Sequence, residues 1–165
     1  MDRRSQWEIL TEQAMELHRQ GENERALAVA EEALLYVEDA YGPEHPSVAA
    51  SLTNMALLNL DMGRYDEAEP LCRQSLEMME GGLGPDHPNV AEAVNNLALC
   101  CSMQGRYGES ETLYKRVLSA MENNFGPDHE LVAQALRNLA GLYEKAEKPD
   151  KAADCIARAE KIEAR

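Results

Sequence analysis

Apolar residues recur along the chain in three- and four-residue steps. Trp7, Leu10, Ala14 and Leu17 fall at i, i+3, i+7 and i+10, which places them on one side of a helix. Gly21 interrupts the run, and Ala26, Val29, Ala30, Ala33, Leu34 and Val37 make a second stripe. The spacing predicts helices over about Asp2–Arg19 and Glu24–Tyr41. The same pairing continues as Pro46–Met62 with Tyr65–Glu80, Asp86–Gln104 with Tyr107–Asn124, and Asp128–Lys145 with Asp150–Ala164. Gly81-Gly82 should loosen the end of the fourth helix, because each Gly costs about 1 kcal/mol relative to Ala in a helix interior. Sustained alternation of the kind strands need is absent. So is any apolar run of about 18 residues, so no membrane-spanning helix is expected. Met1-Asp2-Arg3-Arg4-Ser5 leads into an amphipathic stretch rather than an apolar one, which does not read as a signal peptide.

The pairs repeat. Gly42-Pro43-Glu44-His45-Pro46, Gly84-Pro85-Asp86-His87-Pro88 and Gly126-Pro127-Asp128-His129-Glu130 stand 42 residues apart. Gly suits the position just past a helix end, and the Pro beside it cannot continue the helix. Pro46 and Pro88 suit a first helical position, and the residue before each Pro is held extended, which makes His45 and His87 N-caps by geometry. The register also aligns Val48, Val90 and Val132, then Asn54, Asn96 and Asn138, then Ala56, Ala98 and Ala140. Gly63-Arg64-Tyr65 matches Gly105-Arg106-Tyr107, with Glu147-Lys148-Pro149 in the last copy. A first copy without its junction carries Ala14, Gly21, Ala26 and Leu34 in step. Four units follow, about 3–42, 43–84, 85–126 and 127–165, within one repeat domain. Turns of about three residues force antiparallel neighbours. A lone hairpin cannot bury its apolar face, so the hairpins stack. The expected fold is all-α: a right-handed α-solenoid of four antiparallel hairpins, eight helices in total. Asp154, Arg158, Lys161 and Arg165 give the last helix a water-facing side, and Glu160 stands where other copies have Leu. This is the pattern of a terminal cap, and it reads as a chain nearly complete at that end.

Composition narrows the function. Aromatic residues are 5% and apolar residues 44%, a mix rich in Ala, Leu and Met that suits packed helices. The net charge is −14, and it is graded. Residues 1–44 hold 11 acids and 4 bases, whereas residues 129–165 hold 7 of each. No basic stripe is available to neutralise phosphates, which argues against nucleic acid and anionic membrane and favours a basic partner segment toward the N-terminal half. Cys72, Cys100, Cys101 and Cys155 form no C-x-x-C pair. They read as small buried hydrophobes of a reducing compartment, with cytoplasm the expected location. His45, His87 and His129 have no neighbouring ligand and read as caps rather than a zinc site. His18 stands alone on a first helix and is expected to be exposed, and the paired acids Glu31-Glu32 read as a solvated face. With no phosphate loop, no H-E-x-x-H and no nucleophile elbow, neither enzyme nor cofactor is expected.

The paired helices with small Ala56, Ala98 and Ala140, the Gly-Arg-Tyr turn, and Ala26, Ala68 and Ala152 in second helices resemble the tetratricopeptide repeat. The 42-residue period, the G-P-x-H-P junctions and Val94-Asn95-Asn96-Leu97-Ala98 are similar to the kinesin light chain and nephrocystin type. The resemblance is strongest in units two and three. Unit four lacks the Gly-Arg-Tyr turn, and unit one has Glu12 in place of Asn. It implies a non-catalytic scaffold whose concave groove holds a protein or peptide, and for Asn54, Asn96 and Asn138 a hydrogen bond to a ligand's backbone or terminus. The amide both donates and accepts, so it equally suits bonding within the array that holds neighbouring hairpins.

Around these Asn residues the partner-binding candidates are Thr53, Leu57, Asn95, Leu99, Met103 and Arg137, with Leu60 and Ser102 one turn away. Leu57, Leu99 and Met103 would make an apolar floor or, alternatively, core. Glu8 and Glu12 give the first unit an acidic end that a basic segment would meet. Two rival uses remain. One is self-association of an otherwise monomeric array through Tyr36, Tyr41 and Met78-Met79; the other is a chaperone-like holder of unfolded substrates.

Overall fold

Ser5 opens the first helix with its own side chain. Its hydroxyl accepts from the Glu8 N–H at 3.2 Å, and its N–H donates to the Glu8 carboxylate at 2.7 Å, a reciprocal capping box. The computed structural model describes residues 5–164. The expected helix start at Asp2 and the water-facing Arg165 lie outside them. Eight helices follow: α1 Gln6–Arg19, α2 Asn23–Tyr41, α3 Pro46–Asp61, α4 Tyr65–Leu83, α5 Pro88–Met103, α6 Tyr107–Phe125, α7 Glu130–Lys145 and α8 Pro149–Glu163. There is no strand among the described residues.

The junction histidines cap helices. Nδ1 of His45 accepts from the Ser47 N–H at 3.2 Å, that of His87 from Asn89 at 3.1 Å, and that of His129 from Leu131 at 3.2 Å. His45 and His87 hold φ −69°, ψ 140°, the extended form that a following Pro imposes. α5 and α7 begin just after their histidine caps, at 88 and 130, two residues later than the apolar pattern suggests; His129 is extended at φ −81°, ψ 148° without a following Pro. Gly42 and Gly126 close the preceding helices at φ 90° and 89° with ψ 163° and 159°. This is a region essentially reserved for Gly, distinct from the left-handed helical one. A Cβ on Gly126 would meet nothing within 4 Å, so the cost of one is backbone strain alone. Gly126→Ala is expected to lower stability by about 1–3 kcal/mol, read as a fall in the urea midpoint at unchanged slope.

α4 does not end at Glu80; it runs through Gly81 and Gly82 to Leu83. α2, α4 and α6 are all 19 residues long and stop at equivalent places. Two exposed glycines in a last turn do not outweigh packing of the turns before them. Pro70 lies inside α4 on its exposed side, where the lost hydrogen bond faces water.

The chain divides after Gly82 into two compact units, each of two helical hairpins. In the first, α2 packs on α3. Ala14, Leu17, Ala26, Ala30, Met55 and Leu58 form one core cluster. Val37, Val48 and Leu52 form another, with Trp7 and Met78 packed on it. The Trp7 indole N–H donates to Ser51 Oγ at 2.8 Å, so the half-buried ring also keeps its polar bond. Met78 is half-buried against this cluster, whereas Tyr36 and Tyr41 are exposed. Leu60 is buried, not groove-lining. Asn59 is also buried and donates to the Met55 carbonyl at 2.9 Å. His18 is not alone. Its Nδ1 lies 3.0 Å from Asn23 Oδ1 and its Nε2 3.1 Å from Asp61 Oδ2, so it joins α1 to α2 and α3.

In the second unit α6 packs on α7, and the core joins Ala98, Tyr114, Leu139, Leu142, Tyr143 and Ala152. Ser110 replaces the small Ala of the other copies, and its hydroxyl donates to the Ala98 carbonyl at 2.7 Å. Ser102 and the adjacent Cys100 and Cys101 are buried. All four cysteines are free thiols within helices, and burial pushes the Cys155 thiol up, with Asp154 adding to it. Glu111 is the electrostatic centre of this unit. Its carboxylate takes Lys115 at 2.8 Å, Lys148 at 3.1 Å, Lys151 at 3.6 Å and the Tyr143 hydroxyl at 3.1 Å. The hydrogen bond from Lys115, then that from Lys148, holds it down to about 2 from an ordinary 4.5. A depressed carboxylate stabilises the fold fully above its unfolded value and loses that contribution as pH falls through the folded one. Glu111→Gln is therefore expected to cost about 1 kcal/mol at neutral pH. The gap from the parent, measured by urea titration, closes between pH 4.5 and about 2.

Candidate functional site

The candidate face is the side of the first helices that the second helices leave uncovered. Its register in the first unit runs Glu8, Glu12 and Met15 on α1, then Asn54 and Leu57 on α3. Ala14, Met15, Asn54, Leu57 and Leu58 line a cavity of about 170 Å³, with His18 and Asp61 at its edge. Leu57 is 39% exposed, so it forms surface rather than core. A wider depression along α1 is lined by Trp7, Met15 and both glutamates. The Glu8 carboxylate is already engaged by the Ser5 cap. Thr53 turns inward: its hydroxyl donates to the Ala49 carbonyl at 2.9 Å and lies 2.7 Å from Ser75 Oγ on α4.

In the second unit Asn95, Asn96 and Asn138 come together around a cavity of about 350 Å³ between α5, α6 and α7. Asn138 Nδ2 donates to Asn95 Oδ1 at 2.7 Å, the bond within the array that an Asn can make there. Glu92 and Gln134 share the wall, while Val117, Met121, Ala91 and Ala135 supply apolar surface. Reading from the residues alone missed Glu92 and Gln134. The signal was present, because both are register equivalents of Glu8 at 84 and 126 residues' remove. Leu99 and Met103 stand exposed further along α5 at 36% and 40%. Arg137 is not brought to the cavity. Its guanidinium pairs with Glu163 on α8; that hydrogen bond pushes Arg137 up and holds Glu163 down. The register position shared by Thr53, Asn95 and Arg137 therefore splits: two members tie a hairpin together and one faces the cavity.

No group of three or more His, Cys, Asp or Glu is placed to hold a metal ion among the described residues. Nor is any described helix long and apolar enough to cross a membrane.

These features have close structural parallels. BtubC (BKLC) from P. vanneervenii superposes with a TM-score of 0.86 at 24% identity, over 99% of this chain and 67% of that one. The nearly identical TPR-like repeats of a kinesin light chain from Podosopora anserina give 0.85 at 21% identity, over 98% and 76%. Aspartyl phosphate phosphatase F from Bacillus subtilis gives 0.79 at 17% identity, over 98% of this chain and 41% of its own length. Likeness at such identities is likeness of fold, and it establishes the α-solenoid of helical hairpins. A search of the curated proteins finds no match. The sequence matches the tetratricopeptide repeat over residues 8–80, 47–123 and 93–162. Repeats of this kind generally serve as non-catalytic scaffolds for protein–protein interaction. The chain belongs to the tetratricopeptide repeat family.

Proposed function

We propose that this chain binds a segment of a partner protein along the uncovered face of its first helices and performs no catalysis of its own. One observation carries the reading. Leu57, Leu99 and Met103 are large apolar side chains left in water, each within a turn or two of an Asn that lines a cavity. Exposed apolar anchors beside donor–acceptor amides are what an extended or helical segment needs: side chains enter the pockets, and the amides meet its polar groups. The acidic balance of residues 1–44 favours a basic segment there, where Glu8 and Glu12 both line the depression along α1. Cytoplasmic location fits the free thiols, three of them buried, and belongs to the same proposal, as do a monomeric state and the four units near 3–42, 43–84, 85–126 and 127–165.

Exposed Leu35, at 67%, together with Tyr36 and Tyr41 on α2, favours weak self-association as the second reading. Light scattering across concentration separates the two. The test of the first is affinity capture with Asn54→Ala, Asn96→Ala and Asn138→Ala combined. The parent chain retains partners that the variant loses at unchanged helicity. Equal recovery by both removes these amides from the interface.

A further inference from the structure

The cavity of the second unit has a chemistry of its own. Asn96 is 9% exposed and lines this cavity, yet its amide makes no hydrogen bond to any described residue. Neither polar atom of its amide is sealed off, so both can meet a group that enters the cavity. Glu92, from the same helix, presents a carboxylate to the cavity, and no Lys or Arg is among the lining residues. Asn138 donates one amide hydrogen to Asn95, which leaves its own carbonyl oxygen available, and Gln134 adds another. The far wall is apolar, made by Val117 and Met121 of α6. The site thus offers several neutral acceptors and one anion at its mouth, with an apolar side for a stem.

Resting on the reading of this face as a peptide site, the geometry points to a pocket for an arginine side chain of the partner. A guanidinium carries five donors in one plane and no acceptor, which matches a ring of amide and carboxylate oxygens. A lysine ammonium is a compact point with three donors and would leave more of the ring unmet. The methylene stem would lie on Val117 and Met121 while the head reaches Asn96, Asn138 and Glu92. The site excludes an acidic side chain, because Glu92 would repel it and no cation among its lining residues would answer.

The experiment uses the full chain and three short peptides that are identical except for a central arginine, citrulline or lysine. Each is titrated while side-chain amide signals of Asn, Gln and the backbone are followed by NMR. The arginine peptide is expected to shift the carboxamide signals of Asn96, Asn138 and Gln134. Citrulline, which keeps the shape and loses the charge, should bind about tenfold or more weaker, and Glu92→Gln should remove most of that difference. Lysine should fall between. Equal binding of arginine and citrulline overturns the pocket, as does an arginine response confined to other residues. In both cases peptide shifts near Leu57 or Leu99 would leave the peptide-binding face standing. If no peptide of any composition binds, pocket and face fall together.

Discussion

Tyr114→Ala is expected to destabilise the second unit by about 3–5 kcal/mol, the range for removing a large buried ring. Tyr114 sits at a register position that holds Ala30 and Cys72 in the earlier copies. It is 4% exposed and belongs to the buried cluster that joins Ala98 on α5, Leu139, Leu142 and Tyr143 on α7, and Ala152 on α8. One side chain thus fills the space among four helices, and truncation leaves a void that none of them can close alone. The apparent melting temperature should drop by about 10 °C or more. Cys72→Ala, at the matching place, deletes a single sulfur and should cost far less. The same burial, with the nearby Cys101, pushes the Tyr114 phenol up to about 12. A raised folded value means the contribution is intact below the ordinary value of 10 and is lost as pH climbs toward 12. Followed at 295 nm, one of the six tyrosines should ionise only as the unit opens.

The second large effect concerns binding. Leu57→Asp, Leu99→Asp and Met103→Asp together are expected to weaken a bound segment about a hundredfold or more while leaving the fold intact. Each parent side chain is already more than a third exposed, so a charge there meets water in the free chain and costs little. In the complex the same charge is buried against apolar anchors, and central anchors of this kind commonly contribute 2 kcal/mol or more each. A titration of the partner segment against parent and triple variant, with circular dichroism as the fold control, reads the effect. Unchanged affinity would move the binding surface off this face.

Much of the fold was legible because one backbone device recurs. The stop at Gly and the restart at His rest on φ/ψ preferences that act locally, so a 42-residue register shows them directly. The caps at His45, His87 and His129 carry the hydrogen bonds this register implies. The end of α4 was misread because local glycine propensity was weighed without the packing that fixes three second helices at one length. The candidate face was legible in its apolar members, whose exposure follows from helical phase. Its polar members were not, because their partners come from other helices. Thr53 turns to Ser75 and Arg137 to Glu163, while Asn95 turns to Asn138. His18 binds Asp61 across 43 positions of sequence, and Lys148 and Lys151 reach Glu111 from two elements away. Of that last network only the Glu111–Lys115 step along one helix can be read from spacing.

Where a partner segment lies on the chain decides the proposed function, and photo-crosslinking measures that directly. A peptide selected for binding to the intact chain, carrying a benzophenone at successive positions, should mark residues of α1, α3, α5 and α7, with Leu57, Leu99 and Met103 among the sites found by mass spectrometry. Crosslinks confined to α2, α4, α6 and α8 would contradict it.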